Sequence, residues 1–163
     1  MSSWDTMRSA WEAWERHQPA DERALTRVAF GHLKLGHAPC VAECAQALGE
    51  PETVVAQRLA RMVDKGTATA ADGRMTGTGG LSVAPTAHRM TLGGVPVFAW
   101  CALDTLGIPA ASHSDAVVTA SLFPTGEPIT LTFRWGRLAS CPPGVALQIV
   151  SPDAAREAMC GGT

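Results

Sequence analysis

Cys101 and Asp104 stand three residues apart in Val95–Pro109, VPVFAWCALDTLGIP, a stretch that is otherwise apolar (Phe98, Trp100, Leu103, Leu106, Ile108). A thiol is a soft nucleophile. Burial raises a carboxyl's pKa, so a walled-in Asp104 holds a proton near neutral pH and is able to give it up. Nucleophile and proton donor side by side are the parts of a bond-breaking site. The same residue types also have a structural reading, in which a buried cysteine is followed by a carboxyl that, with Thr105, starts a helix. On the residues alone both readings stay open.

Other reactive residues are less well placed. The five cysteines are Cys40, Cys44, Cys101, Cys141 and Cys160. Their number is odd, no secretion signal precedes them and there is no CxxC, which argues against a disulfide framework. Cys40 and Cys44 share a helical face at i, i+4. With no second pair and no adjacent His pair this is a weak zinc signal, and Cys44 reads as a small core residue. Cys141, beside Pro142 and Pro143, reads as incidental, and no spacing rule makes ligands of His88 or His113. Gly77, Gly79 and Gly80 are glycine-rich, but no Lys-Ser/Thr and no helix start follow. Residues 77–94 therefore read as a linker or a hairpin and not as a phosphate loop.

The elements that must position Cys101 and Asp104 follow from periodicity. The chain has 163 residues, 46% hydrophobic and 17% charged, with a net charge of −2, which is the composition of a globular protein. The absence of a basic tail argues against non-specific nucleic-acid binding. No apolar run approaches the roughly 20 residues of a membrane helix, and the N-terminus is amphipathic and acidic, unlike a signal peptide. A cytoplasmic protein is expected. Residues 3–17 predict a helix, with Ser2 and Asp5 as a capping box and Trp4, Met7, Trp11 and Trp14 on one stripe that packs on the body. A second helix runs from Asp21 to Gly36 with Leu25, Val28, Ala29 and Leu33 inward. A third spans Pro39–Leu48. A fourth opens at Glu50-Pro51-Glu52, buries Val55, Leu59, Met62 and Val63, and ends at Gly66.

Strands Thr67–Ala71 and Arg74–Thr76 flank Asp72-Gly73, a hairpin signal. Helices followed by such a ribbon predict a winged helix-turn-helix. The recognition helix would offer Gln57, Arg58, Arg61 and Lys65, with Arg74 on the wing, among the acids Glu50, Glu52 and Asp64. That is too little positive charge for a DNA reader, so the module reads as scaffold. Leu81–Val83 predicts a strand, and His88–Leu92 and Val95–Ala99 form a hairpin about Gly93-Gly94. Helical periodicity stops beyond Pro109. Strands are then expected at Ala116–Leu122, at Ile129–Trp135 with Ile129, Leu131, Phe133 and Trp135 on one side, and at Val145–Val150, with turns at 124–128 and 142–144. A short segment, Ala154–Met159, leads to Cys160. The fold class is α+β: a helical winged-helix-like domain over 1–80 and a small, mostly antiparallel β-rich domain over 81–163.

The run GLSVAPTAHRMTLGGVPVFAWCALDTLGIPA, and above all Ala99-Trp100-Cys101-Ala102-Leu103-Asp104-Thr105-Leu106, closely resembles the organomercurial (alkylmercury) lyases. Weaker similarity continues through the Thr125-Gly126-Glu127-Pro128 turn, the Pro143-Gly144 turn and Val145–Pro152. The resemblance implies cleavage of a carbon–mercury bond by two cysteines and one aspartate with no separate cofactor. By position Cys101 matches the first cysteine, Asp104 the aspartate and Cys160 the second cysteine, and these three would also hold the Hg(II) product transiently. The chemistry suits the residue types, since thiolates are preferred ligands of soft Hg(II) and a carboxylic acid protonates the leaving carbon. Family members run on for several dozen residues past the second cysteine, so the sequence reads as a C-terminally shortened member. Its exposed sheet edge would favour a homodimer. A family cysteine ahead of the Thr125-Gly126 turn is replaced here, with Leu122 or a neighbour in its place. The implied partners are a small organomercurial substrate and low-molecular-weight thiols or a mercury reductase that accept Hg(II). Two alternatives use the same residues: a non-catalytic soft-metal carrier, and a winged-helix regulator sensing a metal through Cys101 and Cys160.

Overall fold

The computed structural model describes residues 18–122 and 124–146. The expected helix over 3–17, residues 147–150 of the expected last strand, the segment 154–159 and Cys160 lie outside the described residues. Helix α1 (Ala20–Leu33) follows Pro19 and buries Leu25, Ala29 and Leu33 at i, i+4 and i+8. Helix α2 (Val41–Leu48) stops at Gly49, whose φ of 67° suits a residue without a Cβ. Helix α3 (Glu52–Asp64) buries Val55, Leu59 and Met62. Val63, expected inward, stays 40% exposed, because the i, i+4, i+7 row already fills the face turned to the core.

Strands β1 (Ala68–Ala71) and β2 (Arg74–Thr78) pair about Asp72-Gly73, both at positive φ as a tight hairpin requires. The chain then turns at Gly79-Gly80 straight into β3 (Leu81–Ser82), which pairs back on β2 through Thr78 and Leu81. Of the linker and the hairpin, the hairpin is what forms. Strands β4 (His88–Leu92) and β5 (Val95–Ala99) have the bounds the sequence predicts. Helix α4 (Ala102–Ala111) passes through Pro109 and ends two residues later. Proline removes one backbone donor there, and the N–H and hydroxyl of Ser112 both donate to the Ile108 carbonyl, at 3.0 and 2.7 Å.

Strands β6 (Ala116–Ser121), β7 (Pro128–Arg134) and β8 (Arg137–Ser140) complete an antiparallel sheet ordered β1-β2-β3-β5-β4-β6-β7-β8. Strand β8 is not foreseen in the sequence. Trp135, expected on the inner side of β7, instead sits in the β7–β8 turn at φ 52° and is 79% exposed. Val145 and Ala146 belong to no strand.

Two apolar clusters fill the fold. One joins Leu25 and Ala29 to Cys44, Val55, Leu59, Met62, Ala68 and Met75. The other joins Leu33 to Leu81, Met90, Val97, Ala99, Ile108, Val118, Leu131 and Phe133. Helix α1 thus feeds both clusters, and the sheet continues without a break through residue 80. No helix among the described residues is long and apolar enough to cross a membrane.

Candidate active site

Strand β5 delivers the chain to the site. Its last carbonyl, that of Ala99, accepts the Thr86 hydroxyl at 2.6 Å, and the Trp100 N–H donates to the Gly80 carbonyl at 2.9 Å. These two bonds fix the strand end on both sides. Cys101 follows in extended conformation (φ −143°, ψ 170°) as the N-cap of α4, and Asp104 occupies the third helical position. The two close a capping box. The Cys101 N–H donates to Asp104 Oδ2 at 3.0 Å, and the Asp104 N–H turns back to the Cys101 sulfur. One geometry is therefore compatible with both readings of this pair: the cap that starts the helix also holds a thiol against a carboxyl.

The electrostatics separate this box from an ordinary cap. Desolvation pushes the Asp104 carboxyl above its usual range, opposed by its hydrogen bonds with Cys101 and by the charge of His88. The Cys101 thiol is also pushed up, first by desolvation and then by its hydrogen bond to the Asp104 carboxylate. Both groups hold protons more tightly than in water, although Cys101 itself is exposed to incoming reagents. Leu106 and Ile108 on the same helix pack into the core beneath, and Trp100 and Leu103 are half-buried.

A second box of the same form exists in this chain. Cys40 caps α2 and its N–H donates to Glu43 Oε2 at 2.7 Å. Glu43, however, meets His37 Nε2 at 2.8 Å and Arg74 Nη1 at 3.6 Å on the surface. Its carboxyl is held down at about 2, chiefly by the Cys40 N–H. A carboxyl so acidic donates no proton near neutrality. Cys44, one turn on, is buried, and its thiol is raised to about 11 by desolvation. It is the core residue the sequence predicts.

Of the three expected site residues, the structure brings Cys101 and Asp104 together, and Cys160 lies outside the described residues. Cys141 is exposed on the link after β8. Among the described residues no cluster of three or more His, Cys, Asp and Glu could hold a metal ion. Two neighbours of Asp104 escape sequence reasoning. Gly80 lies in a stretch that reads equally as linker, and its adjacency to Gly79 is the one signal of a turn. His88 offers no signal at all, since its influence on Asp104 arises from β4 pairing beside β5.

A family model for alkylmercury lyase matches residues 81–162, half of the chain and the half that carries Cys101, Asp104 and Cys160. The chain belongs to the alkylmercury lyase family. It is 37% identical over 131 residues to an alkylmercury lyase from Streptomyces lividans, covering 80% of this chain and 60% of that protein. It is 40% identical over 82 residues to one from Bacillus cereus, covering 50% of this chain and 37% of the other. The crystal structure of the mercury-bound form of MerB2 superposes with a TM-score of 0.74 at 29% identity, over 82% of this chain and 66% of that one. The chain thus spans between about a third and two thirds of the length of these relatives.

Proposed function

We propose that this member of the alkylmercury lyase family cleaves the carbon–mercury bond of organomercurials to give a hydrocarbon and Hg(II). The observation that carries the reading is the exposed Cys101 thiol, held in one capping box with a carboxyl that desolvation keeps able to carry a proton. The substrate arrives as R–Hg–SR′. Cys101 exchanges onto mercury, giving Cys101–S–Hg–R and releasing R′SH, which carries off the Cys101 proton. A second thiol, assigned by family position to Cys160, binds mercury and passes its proton to the Asp104 carboxylate. Electron density pushed from two sulfurs makes the carbon basic, and Asp104 protonates it. The C–Hg bond breaks, RH departs, and Hg(II) remains between two sulfurs, with Asp104 again a carboxylate. No separate cofactor enters this balance. External thiols or a mercury reductase then take the metal, as suits a cytoplasmic enzyme.

We read α1–α3 with the β1–β2 hairpin as a winged-helix module that serves as the first of two domains, 1–80 and 81–163, sharing one sheet. The basic residues of α3 and of the wing are paired within the module. Arg58 is buried against Glu50 and Asp21, Arg61 faces Asp21, Lys65 meets the buried Glu22 at 2.7 Å, and Arg74 holds the Ala38 carbonyl and Glu43. This pairing favours a scaffold over a DNA-binding regulator. Incubation with phenylmercury and excess small thiol tests the proposal. Benzene release abolished by Cys101→Ser and by Asp104→Ala supports it, while stoichiometric mercury binding without benzene overturns it in favour of a carrier.

A further inference from the structure

We infer that Gly80 is a positioning residue for Asp104: the backbone of the Gly79-Gly80 turn forms one wall of the carboxyl's site, and only a residue without a Cβ leaves the carboxyl room. A Cβ built on Gly80 would overlap Asp104 Oδ1 and lie 2.5 Å from its Cγ and 3.0 Å from Oδ2. Turning the carboxyl about χ2 leaves Cγ 2.5 Å from that Cβ, so Asp104 would have to change its χ1 rotamer. The turn is in turn tied to the site by the Trp100 N–H bond to the Gly80 carbonyl and by the pairing of Leu81 with Ala99. The β2–β3 hairpin, the end of β5 and the first turn of α4 therefore share one contact point. With the Gly80 backbone against it, the carboxyl has no room for water on that side and keeps Oδ2 on the Cys101 N–H. Gly77, two residues before this turn, is also closely packed: a Cβ there would lie 2.7 Å from Thr69 Oγ1 and 3.0 Å from Trp100 Nε1.

Gly79 supplies an internal control. It too has positive φ, 59° against 81° for Gly80, so a side chain at either position strains the turn. At Gly79 a Cβ meets only Thr26 and Phe30 side-chain carbons at 3.4 Å, ordinary contact far from Asp104. Strain is thus common to both positions, and displacement of Asp104 belongs to Gly80 alone.

The inference rests on the lyase reading for its consequence in turnover, but its geometry is testable without turnover. The experiment compares Gly80→Ala and Gly80→Asn with Gly79→Ala and Gly79→Asn in the full chain, asparagine being the residue that best tolerates positive φ. Alkylation of Cys101 by iodoacetamide is followed against pH in a background where the other four cysteines are serine. Displacing the Asp104 carboxylate removes the acceptor that holds the thiol proton. The alkylation midpoint should fall by about one pH unit in the Gly80 variants and stay within about 0.3 unit of the parent in the Gly79 variants. With all cysteines restored, benzene release from phenylmercury should drop at least about 100-fold in the Gly80 variants, with one phenylmercury still bound per chain. Folding of each variant is checked by circular dichroism. An unchanged alkylation midpoint in a folded Gly80 variant overturns the inference, as does an equal shift in its Gly79 counterpart. Absence of benzene from the wild type, with the midpoint shift intact, sinks the lyase reading and leaves the role of Gly80 standing.

Discussion

Replacing Asp104 by Asn separates its two duties. The amide oxygen is able to accept the Cys101 N–H as Oδ2 does at 3.0 Å, so the helix cap survives. The amide has no proton to give to carbon. A positioned general acid is worth roughly 10²–10⁴ in rate, or about 2.7–5.4 kcal/mol at 1.36 kcal/mol per tenfold. The structure argues against the low end of that range, because the Gly80 wall holds water, the alternative donor, off one side of the carboxyl. Asp104→Asn should therefore reduce single-turnover benzene release at least about 100-fold and leave phenylmercury binding to Cys101 at one per chain. Stability should move the other way. Because folding raises the Asp104 pKa, the wild type is free of the ionisation cost below the ordinary carboxyl value of 3.8 and incurs it as pH rises through the folded value. The variant's urea midpoint should match or exceed the wild type's at pH 7, and the gap should close as pH falls below 3.8. Benzene release within tenfold of wild type would refute the proton-donor role. Loss of phenylmercury binding together with benzene would place the carboxyl's role in mercury capture and not in proton donation to carbon.

Cys101→Ser should abolish benzene release without lowering the melting temperature, since serine is a preferred N-cap; Cys40→Ser, at the other box, should leave release unchanged. Arg58→Met removes a side chain only 5% exposed that bridges Asp21 and Glu50, and loss of these charge-assisted bonds should cost about 2 kcal/mol in urea unfolding. Glu43, lowered from 4.5 to about 2, adds stability that is whole above pH 4.5 and lost as pH falls towards 2; a Glu43→Gln variant should show a flatter acid limb in that window.

Local rules carried much of the architecture. Gly93-Gly94 and Asp72-Gly73 set hairpins at positive φ, and β4 and β5 begin and end where their alternation does. The apolar rows of α1 and α2 turned inward as their spacing requires, and that of α3 did so up to Val63. What escaped was decided by partners distant in sequence. Trp135 at positive φ is no turn signal, so β8 and its pairing with β7 stayed hidden. Helix α4 is a local exception: it runs two residues past Pro109 and closes with the Ser112 N–H and hydroxyl on the Ile108 carbonyl, where the proline reads as its end. The site divides the same way. The spacing of Cys101 and Asp104 was legible, whereas the groups around the carboxyl, the Gly80 backbone from the β2–β3 turn and the charge of His88 from β4, are brought in by the sheet.

The pair of boxes in this chain shows why spacing alone does not make a site. Cys40-Val41-Ala42-Glu43 and Cys101-Ala102-Leu103-Asp104 have the same pattern, the same N-cap conformation and the same reciprocal bonds. Glutamate at the surface finds His37 and Arg74 and is held as an anion while its box caps α2. Aspartate, one methylene shorter, cannot reach out from the helix to such partners and is closed in by a glycine backbone. Desolvation then outweighs the same N–H bond and pushes the carboxyl above its usual range, where Glu43 is pushed below it. The chemistry therefore comes from the wall, and moving it should move the chemistry. A Glu43→Asp change, which leaves Cys40 among its solvated neighbours, should produce no benzene release in a Cys101→Ser background, because the acid remains ionised at neutral pH. Release from that variant would show that the Cys-x-x-acid pattern suffices by itself and that desolvation of Asp104 is incidental.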